Sequence, residues 1–230
     1  MKRKCIAAME KTIIIANWKM NPRTFLDAQA LISEILFGAK DIKTVNIVFC
    51  PPFVYLQGLI KKYPKAVFGA QDCFWEQQGA FTGEVSPQML KAMGCAYVIL
   101  GHSERAKYLG ETEDMVQKKV AAALAAGLKV ILCVGEKEET PKDMPGLLVV
   151  YEPEWAISTE GKGAADTKLV ASRVAAMRRT FKTSPILYGG SVTSSNIASL
   201  IKETGVQGAL VGSASLDACE FFNLVKNAVA

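Results

Sequence analysis

Three side chains stand out because each falls where an apolar run ends: Lys19, His102 and Glu152. His102 is the only histidine and lies in Ile99-Leu100-Gly101-His102-Ser103-Glu104-Arg105. A short helix beginning at Ser103-Glu104 would bring its positive N-terminal end to the imidazole and favour the neutral ring, a hydrogen-bond donor to a substrate carbonyl. Glu152, in Val149-Val150-Tyr151-Glu152-Pro153-Glu154-Trp155, stands between an apolar strand end and Pro153. Partial desolvation there would raise its proton affinity and suit it to take a proton from carbon. Lys19, in Ala16-Asn17-Trp18-Lys19-Met20-Asn21, would set an ammonium against substrate phosphate and developing negative charge. Each has an ordinary alternative: a structural histidine, a carboxylate in a surface ion pair, and a lysine snorkelling from a strand to solvent.

Two glycine clusters, Gly189-Gly190-Ser191 and Val211-Gly212-Ser213-Ala214-Ser215, suggest an anion site. Either alone is a weak signal. As a pair after the last two strands of a barrel they match the usual phosphate site, where backbone N–H groups and a short helix N-terminus hold the anion. Neither G-x-x-x-x-G-K-[ST] nor a strand-led G-x-G-x-x-G occurs, which argues against a nucleotide.

These residues need elements to carry them. Short apolar runs predict strands at Thr12 to Ala16, Val45 to Phe49, Val67 to Ala70, Tyr97 to Leu100, Val130 to Cys133, Leu147 to Tyr151, Ile186 to Tyr188 and Ala209 to Val211. Helical patterns cover Phe25 to Phe37, Ser86 to Met93, Thr112 to Ala126, Ala165 to Phe181, Ser195 to Glu203 and Asp217 to Ala228. Thr112 supplies an N-cap and Gly127 a stop. Polar residues follow strand after strand: Asn17 and Lys19, Gln71, His102, Glu136, Glu152, Ser191 and Ser213. An open sheet gathers its ligand contacts at one switch point, whereas a barrel uses many strand ends at once, so the pattern predicts an α/β single-domain (β/α)8 barrel. Residues 12–230 form that domain and 1–11 an N-terminal extension. Between Glu136 and Leu147, Pro141 and Pro145 leave no room for a full helix, so the outer helix between strands five and six is expected to be shortened or missing.

Composition sets outer limits. At 230 residues, half of them hydrophobic, the chain can bury a full core. A net charge of +5 is scattered, with only short basic runs such as Lys2-Arg3-Lys4 and Arg178-Arg179, which argues against a nucleic-acid partner. Glu10 and Lys11 interrupt the apolar stretch after the basic start, so no signal peptide is expected. Gly127 and Lys129 break the apolar stretch from Val120 to Val134, and no membrane span is expected. Six dispersed cysteines without a C-x-x-C pair read as reduced thiols, and the expected location is cytoplasmic.

Asn17-Trp18-Lys19-Met20-Asn21, Gly79-Ala80-Phe81-Thr82-Gly83-Glu84-Val85-Ser86-Pro87, Gly101-His102-Ser103-Glu104-Arg105, Tyr151-Glu152-Pro153 and Tyr188-Gly189-Gly190-Ser191-Val192 together resemble the triosephosphate isomerase family. The resemblance runs from about Thr12 to the C-terminus. It implies interconversion of glyceraldehyde 3-phosphate and dihydroxyacetone phosphate through an enediolate, a step of glycolysis and gluconeogenesis. Glu152 would be the base, His102 the electrophile, Lys19 and Asn17 the stabilisers of the intermediate, and Glu104 their electrostatic support. Ser191, Leu210, Gly212, Ser213 and the backbone of Ser158 would surround the phosphate, with no metal or organic cofactor. A lid from Pro153 to about Lys162 would close over substrate. The family is typically a homodimer, and here the loop Gln71 to Pro87 would carry Thr82 toward the neighbour's Asn17 and His102. The lid departs from the usual Ala-Ile-Gly-Thr-Gly-Lys, with Ser158 for a glycine and Glu160 added, and Ala106 replaces a second arginine. A carboxylate near the phosphate is expected to slow closure. The alternative is a phosphate-binding barrel without turnover, acting as a sensor or scaffold.

Overall fold

A computed structural model describes residues 11–136, 142–153 and 166–229. Its centre is a closed barrel of eight strands in sequence order: β1 (Thr12–Asn17), β2 (Val45–Cys50), β3 (Val67–Ala70), β4 (Tyr97–Leu100), β5 (Lys129–Val134), β6 (Leu147–Tyr151), β7 (Ile186–Tyr188) and β8 (Gly208–Val211). Every neighbouring pair is parallel, and β8 returns to β1 through Ile13↔Gly208 to Ala16↔Val211. Alternate residues serve two cores, as the pleat of a closed sheet requires. Ile15, Val48, Ile99, Ile131, Val150, Leu187 and Leu210 fill the barrel interior, while Ile14, Phe49, Val98, Leu132, Val149 and Tyr188 face the helices. The eight predicted strands are those observed, with ends differing by a residue.

The outer layer consists of α1 (Phe25–Gly38), α2 (Phe53–Lys62), α3 (Pro87–Met93), α4 (Ser103–Leu109), α5 (Glu113–Ala125), α6 (Thr167–Met177), α7 (Ile197–Thr204) and α8 (Ala218–Asn227). Thr112 caps α5 by accepting from Met115 N, as predicted. The helix predicted from Ala165 begins at Thr167, with Asp166 as its cap. Helix α2 escapes the sequence patterns: Pro52 gives it no side-chain cap, and Gly58 interrupts its interior. That glycine is a packing requirement, because a Cβ there would lie 2.6 Å from the Phe25 ring of α1. Among the described residues, no helix is long and apolar enough to cross a membrane.

The passage from β5 to β6 is the one that breaks the pattern. Residues 142–146 are not helical, and the expectation for residues 137–141 lies outside the described residues. The two strands nonetheless pair closely, from Val130↔Leu147 through Val134↔Tyr151, and the outward-facing Val149 and Tyr151 are buried. The flank is therefore covered. Its loop is latched by Asp143, which accepts hydrogen bonds from the backbone N–H and hydroxyl of both Thr183 and Ser184. The Ser184 hydroxyl and the Thr183 amide hold its carboxyl down at about 2. A carboxyl whose folded value lies below its unfolded one contributes stability above the unfolded value, which is lost as pH falls through the folded one. Asp143→Ala will lower the melting temperature at pH 7, and the difference from the unmodified protein will close as pH is lowered from about 4 toward 2. Thermal unfolding followed by circular dichroism across that range checks both parts.

Candidate active site

Closure of a parallel barrel brings all strand carboxyl ends to one rim, and the site is assembled there. Asn17 ends β1 and is buried, its Oδ1 accepting from Lys19 N at 3.1 Å. Lys19 takes a left-handed backbone, φ 52°. For a residue with a Cβ this costs about 1–3 kcal/mol and must be imposed by the surroundings. Gln71, just past β3, supplies the restraint: its Nε2 donates to the carbonyls of Lys19 and Cys50, both at 2.8 Å. The Lys19 ammonium then donates to Glu104 Oε1. From sequence, Gln71 was visible only as one polar residue at a strand end.

His102 follows Gly101, whose φ of +72° makes the turn out of β4. It is the N-cap of α4, the short helix predicted at Ser103, and its Nδ1 accepts from Glu104 N at 3.2 Å. An accepting Nδ1 carries no proton, so the proton of the neutral ring sits on Nε2. That nitrogen is 3.5 Å from Glu152 Oε1.

Glu152 is only 2% exposed. Burial pushes its carboxyl above the usual range, against the opposing effects of His102, a Cys133 thiol hydrogen bond, Ser103 N and Lys19. The Ser103 amide lies 3.4 Å from Oε2. The Glu152 side chain is admitted by a glycine: a Cβ at Gly189 would come within 2.8 Å of Glu152 Cγ and 2.5 Å of Val150 Cγ1. Sequence reading took Gly189 as part of an anion loop. Its tight packing is against Val150 and the Glu152 side chain.

The other expected site residues divide by position. Gly212 lies beside the Lys19 side chain, since a Cβ there would stand 3.6 Å from Lys19 Cε. A turn of 3-10 helix, Ser213–Leu216, starts from it. Ser191 follows β7, with its carbonyl accepting from Asn196 Nδ2. The Leu210 side chain packs in the barrel interior, so only its main chain can face an anion. Ser158, Glu160 and the lid beyond Pro153 lie outside the described residues. Thr82 is exposed on the loop after β3, which is stiffened by stacking of Phe74 on Trp75 with ring centroids 4.0 Å apart. A cleft of about 540 Å³ between that loop's base and α4 is lined by Asn17, Lys19, Met20, His102, Tyr108 and Leu109.

A closed parallel barrel with an acid, an imidazole and an ammonium gathered at its carboxyl rim defines a (β/α)8 protein whose site is built from strand-end loops. Residues 12–228 match the family model described as triosephosphate isomerase. The chain is 42% identical to the triosephosphate isomerase of Trichlorobacter lovleyi over 95% of its own length and 99% of the relative's. It is 40% identical to that of Dehalococcoides mccartyi (96% and 97% covered) and 37% identical to that of Dictyoglomus thermophilum (95% and 100% covered). The chain belongs to the triosephosphate isomerase family.

Burial of Glu152 has a measurable cost. A carboxyl whose folded value is raised penalises the folded state once ionised, so stability is full below the unfolded value and falls as pH rises through the folded one. Glu152→Gln removes the charge and keeps the shape. The variant will melt at a higher temperature than the unmodified protein near pH 8, and the two will converge below about pH 4, where both side chains are neutral.

Proposed function

We infer that this chain is a triose-phosphate isomerase, an aldose–ketose isomerase that interconverts glyceraldehyde 3-phosphate and dihydroxyacetone phosphate. The observation that carries the reading is a buried carboxylate, raised in proton affinity, beside an imidazole whose Nε2–H points into the same rim. Glu152 takes a proton from the carbon next to the carbonyl. The electron pair moves onto the carbonyl oxygen, which receives a hydrogen bond from His102 Nε2–H, and the enediolate charge is met by Lys19 and Asn17. Glu152 then returns the proton to the former carbonyl carbon. His102 gives its Nε2 proton to the former carbonyl oxygen and takes the proton of the neighbouring hydroxyl, which becomes the new carbonyl, so nothing is gained or lost. Glu104, bonded to the Lys19 ammonium, sets the direction of that side chain. Gly212, Ser213, Ser191 and the Leu210 main chain take the phosphate beside Lys19, joined by the backbone of Ser158 when the lid closes. A barrel that only binds phosphate has no use for a carboxylate kept out of water against an imidazole, so the non-catalytic alternative is not favoured.

The catalytic domain is read as residues 12–230, with 1–11 outside it. The unbridged thiols of Cys50, Cys73 and Cys95 support action in the reducing cytoplasm. A coupled assay with glyceraldehyde 3-phosphate tests the activity. Glu152→Gln will lower kcat by roughly 10²-fold or more. Absence of turnover in the folded, unmodified protein would refute the reading.

A homodimer is the proposed assembly. Met20, Tyr108 and Leu109 are 93%, 69% and 66% exposed around the cleft, an apolar surface unusual for a monomer. The stiff loop bearing Thr82 is the projection that a second copy would insert there. The unmodified protein will sediment as a dimer and Met20→Glu as a monomer with reduced kcat. A fully active monomer in the unmodified protein would overturn the assembly.

A further inference from the structure

The β5–β6 passage lacks helical cover in its described part, and one side chain of the neighbouring helix reaches into that gap. Arg173, within α6, donates from Nη2 to the carbonyls of Glu136 at 2.7 Å and Gly135 at 3.3 Å. Its guanidinium carbon lies 5.9 Å from the centroid of the Tyr151 ring, within cation–π range. Tyr151 is 1% exposed, and its hydroxyl donates to Glu136 Oε1 at 3.4 Å. One cation therefore ties the rim end of β5 to the last residue of β6, and the next residue is Glu152.

The backbone continues this link. Glu152 N donates to Val134 O, and Gly189 N donates to Tyr151 O, both at 2.9 Å. The base is thus fixed to β5 at the position whose following residues Arg173 holds. Arg173 Nε is buried with no hydrogen-bond partner among the described residues. A buried unpaired donor costs about 1–3 kcal/mol. An arginine present only for surface charge would avoid that cost by turning into solvent, so its placement indicates a positional role.

We propose that Arg173 is a positioning residue for the base: by clamping Gly135, Glu136 and Tyr151 at the rim ends of β5 and β6, it holds Glu152 in its buried setting against His102. This rests on Glu152 being the base, but the effect on the carboxyl can be measured without turnover. The groups facing Glu152 are His102 and Ser103 at the start of α4, Cys133 on β5 and Lys19 after β1. Arg173 acts on it through packing. When Arg173 is lost, β5 and β6 part at the rim, water reaches the carboxyl, and its titration midpoint falls.

The test is titration of the Glu152 side-chain carboxyl by carbon-13 NMR, with steady-state kinetics alongside, in the unmodified protein, Arg173→Ala, Arg173→Lys and Asp143→Ala. Asp143 latches the same passage at its other end and serves as the control for simple loosening. Arg173→Ala is expected to lower the midpoint, to move the acid limb of kcat the same way, and to reduce kcat about tenfold with little change in KM, since small misplacements of a reacting group are costly. Arg173→Lys will recover part of each, because an ammonium can bond a carbonyl but cannot form the planar contact. Asp143→Ala will lower only the melting temperature. If Arg173→Ala does not fold, Arg173→Lys carries the same comparison. An unchanged midpoint in the folded Arg173 variants overturns the proposal even if stability falls. An altered midpoint in a protein without turnover would sustain it and refute the isomerase reading alone.

Discussion

Everything at this site depends on closing an all-parallel sheet. Because each strand runs the same way, closure places every carboxyl end on one rim, and residues as distant as Asn17 and His102 line one cleft. The closure is uneven. The β1–β2 ladder runs from Thr12↔Val45 to Asn17↔Cys50, whereas β7 meets β8 only at Tyr188↔Ala209. The ladders framing Lys19 and Glu152 are the long ones, β1–β2 and β5–β6, so the two ends of the charge system rest on the best-paired parts of the barrel. The glycine-bearing loops after β7 and β8 leave the shortest seam, where backbone can turn without breaking a long ladder.

Against that scaffold the site departs from what folding alone would favour. Lys19 has a backbone few non-glycine residues adopt, and Glu152 keeps a carboxylate out of water. Both are penalties that a domain of marginal stability must offset elsewhere. The compensation is local and identifiable. Gln71 bonds the carbonyl of the strained lysine, and Ser103 N, His102 and Lys19 surround the buried acid. Local rules of sequence and structure fail at these two positions because the site requires them to.

Much of this could be read from residue order. The eight strands, the caps on α5 and the convergence of Lys19, His102 and Glu152 follow from apolar runs and from what terminates them. What could not be read depends on three-dimensional approach. Gly58 lowers the helical signal of α2 in sequence, yet it is the residue that lets α1 and α2 meet. Gly189 looks like any loop glycine until the Glu152 side chain is seen against it. Gln71 and Arg173 bond main-chain carbonyls far away in sequence, and a carbonyl acceptor leaves no mark on residue type. The shortened passage after β5 was legible from its prolines, but its covering was not, since Asp143 and Arg173 each act on partners beyond their own element.

A cluster of three buried charges and the half-buried Arg105 joins the loops after β3 and β4 from behind. Lys119 on α5 bonds both oxygens of Asp72 at 2.9 Å and also Glu111, while Arg105 reaches Asp72 at 2.8 Å and Glu111 at 3.1 Å. Asp72 adjoins Gln71, which holds the Lys19 carbonyl, and Arg105 lies in the first turn of the helix that His102 caps. Burial raises the Asp72 carboxyl, with Lys119 and Arg105 opposing it, so the acid depends on its cations to stay ionised. Replacing a buried ion pair by apolar residues can be neutral, but removing one partner costs about 3–5 kcal/mol. The four charges thus act as a unit that is difficult to dismantle one residue at a time. Their effect is to fix the spacing between the strained lysine and the imidazole independently of any substrate, so the electrostatic site is assembled before a triose phosphate arrives.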